Sequence, residues 1–275
     1  IPSGGSYTIF PSLPVWLKGG FFMKKSIKKV LFMLSTVILS VVLTACGAGS
    51  SKTPTSQEVL EKYSEVAKNI KSAKFTSDVS MKITTNGKEQ ELKMNMNGTV
   101  VNDPISMLVD YDMNMGSQSQ KISMYLKDAD SLYIKQSNSS KWQKAPTNES
   151  IKKQLESIKQ VGGNDKSLEF YKNNASDFKV SEQGDNYVLT YTGNDEKFKE
   201  LLKQSNSTTS NNFDSVEFKN IEVKVTVKKS NYEPVESYIS ADFSQKSNSS
   251  NKAKMEVKFS FSDINSAKIT APEGI

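Results

Sequence analysis

The segment Ile105-Ser-Met-Leu-Val-Asp-Tyr-Asp-Met-Asn-Met115 places an apolar residue at every second position, in the longest such run of the chain. Successive side chains of a β-strand point to opposite faces of its sheet, so this spacing puts the six alternating apolar residues on one face. The other face receives mostly polar side chains. This pattern is typical of an antiparallel strand with one face on a core and one in water.

Shorter alternations precede and follow this segment, separated by turn residues. Asn86-Gly87 is a strong hairpin signal, Asn97-Gly98 is expected to bulge or turn the chain, and Asn102-Asp103-Pro104 is a further turn. We predict an antiparallel meander of five or six strands, apolar on one face. Its other strands are expected at Phe75–Ile83, Leu92–Met96, Gln120–Leu126, Ser131–Gln136 and Lys141–Lys144.

Helices and further strands are predicted on both sides of this meander. Apolar positions three and four residues apart indicate a helix from an N-cap at Ser56 to about Lys71, and others indicate helices at Ile151–Gln160 and Asp195–Lys203. Ser244–Asn251 is predicted to be a polar loop. The sequence therefore predicts an α+β domain, in which a large curved antiparallel sheet carries helices on its concave face. Its later strands are expected at Phe178–Glu182, Tyr187–Thr192, Val216–Val227, Val235–Phe243 and Lys254–Phe261.

The front of the chain is predicted to direct export. Lysines after Met23 and an uncharged apolar run to Leu43 are typical of a secretory signal peptide at residues 23–45. Leu43-Thr44-Ala45-Cys46 resembles the bacterial lipobox, which implies cleavage before Cys46 and its acylation with diacylglycerol. Residues 46–55 are then a flexible tether, and residues 56–275 a single domain. Residues 1–22 are expected to be translated upstream sequence, with Met23 as the true start.

Composition argues against most enzyme classes. The chain has no His and no Arg, and Cys46 is its one cysteine. These absences exclude His-based acid–base catalysis, Cys/His dyads and intrachain disulfides. Residues 46–275 carry 31 lysines against 30 acidic groups, so the excess of positive charge lies in residues 1–45. The rest of the chain lacks the net positive charge that is typical of nucleic-acid-binding proteins. We expect no catalytic residues, no metal and no cofactor.

Two segments resemble the LolA/LppX-like lipoprotein superfamily. They are Ile70-Lys-Ser-Ala-Lys-Phe75 and Phe261-Ser-Asp-Ile-Asn-Ser-Ala-Lys-Ile-Thr-Ala-Pro272, and the order of elements over residues 56–275 agrees with them. The resemblance implies a half-barrel around an apolar cavity that holds lipid or acyl chains. LolA itself is a soluble periplasmic carrier, and a lipid anchor at Cys46 departs from that pattern.

Methionine is concentrated in the meander. Seven of the ten methionines lie between Met81 and Met124. If neighbouring strands share one face, a flexible thioether-rich surface results, of the kind that adapts to ligands of varied shape. The alternatives are that these residues fill an irregular core, or that Met94-Asn95-Met96 and Met113-Asn114-Met115 bind Cu(I) through soft sulfur atoms. The candidate ligand-binding residues are Met94, Met96, Met107, Val109, Tyr111, Met113, Met115 and Met124.

These observations predict a non-enzymatic lipoprotein that binds an apolar ligand, a lipid or an acyl chain, in a cavity of the curved sheet. It is expected to be a monomer, held by acylated Cys46 on the outer face of the cell membrane. The lysine- and asparagine-rich composition favours a Gram-positive source. The alternative is an interaction or sensor module of the cell envelope, with a closed core and no ligand.

Overall fold

The computed structural model describes residues 53–146, 173–205 and 215–275, apart from positions 86, 117, 129, 137–138 and 193–194. Positions 201–205 and 248 are described by their backbone alone. Cys46, the predicted signal peptide and the predicted helix Ile151–Gln160 therefore lie outside the described residues. Within the described part of the chain, no helix is long and apolar enough to cross a membrane.

The first helix, α1 (Ser56–Lys68), begins one residue earlier than the sequence predicts, because its N-cap is Thr55 and not Ser56. The Thr55 hydroxyl accepts a hydrogen bond from the Glu58 backbone N–H at 3.2 Å, and the Glu58 carboxylate accepts one from the Thr55 N–H at 2.6 Å. This reciprocal capping box lowers the pKa of Glu58, and backbone hydrogen bonding from Thr55 is the largest cause. The Ser56 hydroxyl instead donates to the Ala175 carbonyl oxygen at 2.8 Å.

In the part of the chain that the structure describes, eleven strands form one antiparallel sheet, and the first six of them are the predicted meander. These are β1 (Ser72–Thr85), β2 (Lys88–Asn102), β3 (Ile105–Met115), β4 (Gln118–Asp128), β5 (Ser131–Gln136) and β6 (Gln143–Ala145). A short 3₁₀ turn, Ala175–Asp177, precedes β7 (Phe178–Gln183) and β8 (Asn186–Tyr191). The remaining elements are α2 (Asp195–Ser205), β9 (Val216–Lys228), β10 (Pro234–Gln245) and β11 (Asn248–Ser262).

The first and last strands are neighbours in the middle of the sheet. The strand order is β6-β5-β4-β3-β2-β1-β11-β10-β9-β8-β7, so two meanders meet where β1 pairs with β11. The edges of the sheet are two short strands, β6 and β7. A sheet of this width does not stay flat, because each pair of strands is twisted.

One face of the sheet, here called the inner face, carries the core. The apolar positions of β1 and β11 are buried on it, and they form one cluster with α1 residues Val59, Leu60 and Tyr63 and with α2 residue Phe198. α1 packs against the 3₁₀ turn and β7, and α2 packs against β9. The predicted fold class, a large curved antiparallel sheet with helices on one face, is therefore confirmed.

Two sequence predictions about turns are wrong. Asn97-Gly98 neither bulges nor turns, because β2 runs through it in unbroken register with β1, and the missing side chain of Gly98 leaves room for the Phe75 ring. Ser244–Asn251 is not a long loop, because β10 and β11 extend into it as far as a turn at positions 246 and 247. Backbone pairing does not require apolar side chains, so a polar segment of this kind still forms a ladder.

Candidate functional site

The eight candidate residues all lie on the inner face of three consecutive strands, β2, β3 and β4. Met94 lies directly opposite Met113, Met96 lies opposite Tyr111, and Val109 lies opposite Met124. Because side chains two residues apart share a face, these pairs fix the orientation of the others. We call this surface the methionine face; it consists of Met94, Met96, Met107, Val109, Tyr111, Met113, Met115 and Met124.

Exposure divides the methionine face into a buried part and an accessible part. Val109 and Met96 are buried, with 1% and 8% of their surface exposed, and both belong to the main core cluster. The other six side chains are half-buried. Met94, Met107, Tyr111 and Met115 pack on the margin of that cluster, so the face continues the core outward to a partly accessible apolar wall.

Two polar groups lie within this apolar wall. Burial raises the pKa of the Tyr111 phenol to about 12, so this side chain stays neutral at physiological pH. Gln120 lies opposite Met113 on β4, and its buried amide oxygen accepts no hydrogen bond from the residues that the structure describes. A buried acceptor without a partner is costly, and a water molecule, an ion or a ligand can supply the missing contact.

The acidic residues near the methionine face are on the opposite, outer face or in turns. Asp110 accepts a hydrogen bond from the Ser123 hydroxyl at 2.5 Å, and Asp112 pairs with Lys121 at 3.1 Å. Asp128 accepts from the Asp130 backbone N–H at 3.0 Å, which is the largest cause of its lowered pKa. Within the described ranges, no three His, Cys, Asp or Glu side chains are grouped so that they could hold a metal ion.

The outer face contains an open groove of about 370 Å³ that the sequence does not predict. It forms where small hydroxyl side chains of three strands adjoin, beside an ion pair between Lys74 and Asp263 at 2.7 Å. Phe75, Gly98 and Phe261 contribute to its lining. Its walls are Lys74, Thr76, Asn97, Thr99, Leu108, Asp110, Ser260 and Ser262.

The architecture thus defines a class: a single broad antiparallel sheet whose inner face combines a helix-covered core with a methionine-rich extension. The chain belongs to DUF6612, a family of unknown function, whose profile matches residues 55–275. The matched range begins at the N-cap of α1 and covers all eleven strands. A comparison with curated proteins finds no match.

Several solved structures align with most of the chain at very low identity. A DUF1329 family protein from Desulfovibrio piger is 9% identical, with 71% of this chain and 86% of that chain covered and a TM-score of 0.26. A LolA superfamily protein from Nitrosomonas europaea is 12% identical, with 79% and 96% covered and a TM-score of 0.24. An S-type phycobiliprotein lyase from Guillardia theta is 7% identical, with 71% and 89% covered and a TM-score of 0.19. Superpositions this loose carry no functional argument.

Proposed function

We propose that this protein is a non-enzymatic lipoprotein, anchored through acylated Cys46 to the outer face of the cell membrane, and that its methionine face binds an apolar ligand such as a lipid or an acyl chain. One observation carries the binding proposal. The strand register brings all eight candidate residues onto one face, and six of them keep part of their surface accessible. When an apolar ligand covers such an accessible wall, apolar surface is removed from water, and this makes binding favourable.

The chemistry of methionine supports a ligand of variable shape. Its side chain is unbranched and polarizable, so a surface rich in methionine adapts to different apolar partners more readily than one built from branched residues. The other side chains of the wall are Val109 and Tyr111. An acyl chain needs apolar contact and no particular donor, and this surface offers that contact.

The anchoring proposal is supported by the sequence order. The lipobox-like segment ends at Cys46, and the family match begins at residue 55. Six residues lie between Cys46 and Thr53, and the seven Cα–Cα steps span at most about 25 Å when fully extended. Two acyl chains on Cys46 would hold the domain stably on a membrane. The short tether would keep the domain close enough to the bilayer to exchange a lipid ligand with it.

The binding proposal is tested by introducing lysine at two neighbouring positions of β3 whose side chains lie on opposite faces of the sheet. Met113→Lys puts a charge on the methionine face, whereas Asn114→Lys puts the same charge on the outer face. With residues 47–275, which contain every strand and the N-cap of α1, we expect Met113→Lys to weaken palmitate binding about tenfold or more, because an acyl chain would bury the ammonium group. Native mass spectrometry and a competition assay with a fluorescent fatty acid measure the effect.

Asn114→Lys serves as the control for that experiment and should bind palmitate like the parent chain. Circular dichroism and thermal unfolding show whether both variants are folded. If folded Met113→Lys binds palmitate as tightly as Asn114→Lys, the methionine face is not the binding surface. If the parent chain binds no acyl ligand at all, the closed-core interaction or sensor module becomes the better hypothesis.

The anchor is tested separately by metabolic labelling in a bacterial host that processes lipoproteins. The full chain should incorporate an alkyne-tagged palmitate and partition into the membrane fraction, because Cys46 is its one thiol. Cys46→Ser should abolish the label, whereas Ser50→Cys in that background should not restore it. Labelling that persists in Cys46→Ser would contradict lipidation at this position.

A further inference from the structure

From the arrangement of four methionines, we infer that the chain has a Cu(I)-binding site at one end of the methionine face. Met94 and Met113 are direct cross-strand partners. Met96 and Met115 lie on the same face two residues from this pair, in opposite directions along the antiparallel strands, so Met96 is opposite Tyr111 and Met115 is opposite Leu92. We call these four residues the thioether quartet. This inference goes beyond the proposed ligand binding, since it depends on sulfur and not on apolar surface.

The distances expected of such pairs suit metal binding. Directly opposite residues of an antiparallel pair have Cβ atoms about 4.5–5.5 Å apart, and a diagonal neighbour is about 7–8 Å away. A methionine side chain has three rotatable bonds and spans such gaps, so two or three sulfur atoms of the quartet can reach one ion. Met94, Met113 and Met115 are half-buried, which leaves the cluster open to an ion from solvent.

Gln120 is a second, independent observation at the same place. It continues the row formed by Met94 and Met113 onto β4, because Met113 pairs with Gln120. Its amide oxygen is buried and accepts no hydrogen bond from any described residue. Glutamine oxygen serves as a weak, distant ligand in copper proteins, so this atom fits a supplementary role beside the thioethers.

The donor set selects the metal. Thioether sulfur is a soft ligand that prefers Cu(I), whereas Zn²⁺ and Mg²⁺ need imidazole, thiolate or several oxygen ligands. The carboxylates of β3, Asp110 and Asp112, lie on the outer face and contact Ser123 and Lys121 there. The quartet therefore presents sulfur to an ion, with only the neutral oxygen atoms of Gln120 and Tyr111 on the neighbouring part of this face.

Leucine substitutions separate the thioether chemistry from the apolar wall, because leucine and methionine have similar volume. In the Met94→Leu/Met113→Leu variant of residues 47–275, we expect the affinity for Cu(I) to fall at least about tenfold. Palmitate binding should be retained, since the surface stays apolar. Copper is supplied anaerobically as Cu(I), and affinity is measured by competition with a chromophoric chelator.

A matched control uses a second methionine pair in the same structural relation. Met81 and Met255 are also direct cross-strand partners on the inner face, but only 2% and 1% of their surfaces are exposed. Met81→Leu/Met255→Leu should therefore leave Cu(I) affinity unchanged. Gln120→Leu is expected to weaken binding by a smaller factor than the loss of two sulfur atoms.

The outcomes distinguish this inference from the proposed function. Retained palmitate binding with lost Cu(I) binding supports the copper site, and X-ray absorption of the parent complex should then show copper–sulfur scattering. The inference is overturned if the parent chain does not compete with the chelator, or if the quartet variant and the core-pair variant bind Cu(I) equally. If the parent chain binds no palmitate and Cu(I) affinity still falls only in the quartet variant, the proposed function fails and the copper site stands.

Discussion

Replacement of Phe259 by alanine is expected to lower the free energy of unfolding by about 3–5 kcal/mol, as is usual when a fully buried aromatic side chain is truncated. Phe259 is 1% exposed on β11, and its ring stacks on Phe75 of β1 at 5.3 Å and contacts Phe261 at 5.2 Å. This group of three rings lies where the first and last strands of the chain pair. The substitution therefore leaves a cavity at the junction of the two meanders, and urea unfolding measures its cost.

Lys258→Ala is the matched control, because it changes the adjacent residue on the outer face. Lys258 pairs with Glu236 at 2.7 Å, and both side chains are partly exposed to water. Exposed pairs of this kind contribute at most about 1 kcal/mol. Equal losses for the two variants would show that the inner face of β11 is not packed as described.

Gly98→Val is expected to destabilise the fold by about 1–3 kcal/mol, although valine has a higher strand propensity than glycine. A Cβ atom at Gly98 would lie 2.5 Å from Cζ of Phe75 and 2.9 Å from Cγ2 of Val109. The Phe75 ring cannot easily move away, because it stacks on Phe259. Overpacking therefore outweighs the conformational gain, and thermal unfolding should show a lower Tm.

Thr99→Val is the comparison for this variant, because it introduces the same side chain at the next position of β2 but on the outer face. It should change stability by less than about 0.5 kcal/mol. In a Phe75→Ala background, the penalty of Gly98→Val should shrink, since the ring that blocks the added methyl groups is gone. A penalty of the same size in both backgrounds would contradict the close approach of Phe75.

Local alternation was sufficient to predict most of the first meander. β3 and β5 have the predicted bounds, and β1 and β4 extend the predicted segments by a few residues. β2 is fifteen residues long, whereas only Leu92–Met96 was predicted. In these strands, burial on one face decides both the residue pattern and the strand register. The helix at α1 was predicted for the same reason, from the spacing of its buried side chains.

Long-range pairing could not be predicted in this way. The residue pattern of β11 does not indicate that it pairs with β1. Many strands of this chain have a similar alternation, and the two partners lie far apart in sequence. The prediction of a loop at Ser244–Asn251 was wrong for a related reason. This polar segment forms strands because its backbone pairs with neighbouring strands, not because of its own side-chain pattern. The role of Gly98 likewise depends on Phe75, which reaches it only through the pairing of β1 with β2.

The methionine face was predicted on the condition that neighbouring strands place their methionines on the same face. The register of β2, β3 and β4 does so. The alternation in each strand shows which of its side chains share a face, but not which residues of the neighbouring strand lie opposite them. The turns between β2 and β3 and between β3 and β4 determine that register. Gln120 was not recognised as a candidate because a single polar residue in a strand carries no distinct signal. The outer groove was missed because it combines residues of β1, β2, β3 and β11.

Binding of an apolar ligand to the methionine face is tested most directly by the ε-methyl NMR signals of residues 47–275 on addition of palmitate, assigned with single Met→Leu variants. We expect signals of Met94, Met107, Met113, Met115 and Met124 to shift with saturation. Those of Met81 and Met255, which are buried in the core, should shift much less. If palmitate leaves the five accessible signals unchanged, or shifts only the core pair, the methionine face does not bind an acyl chain.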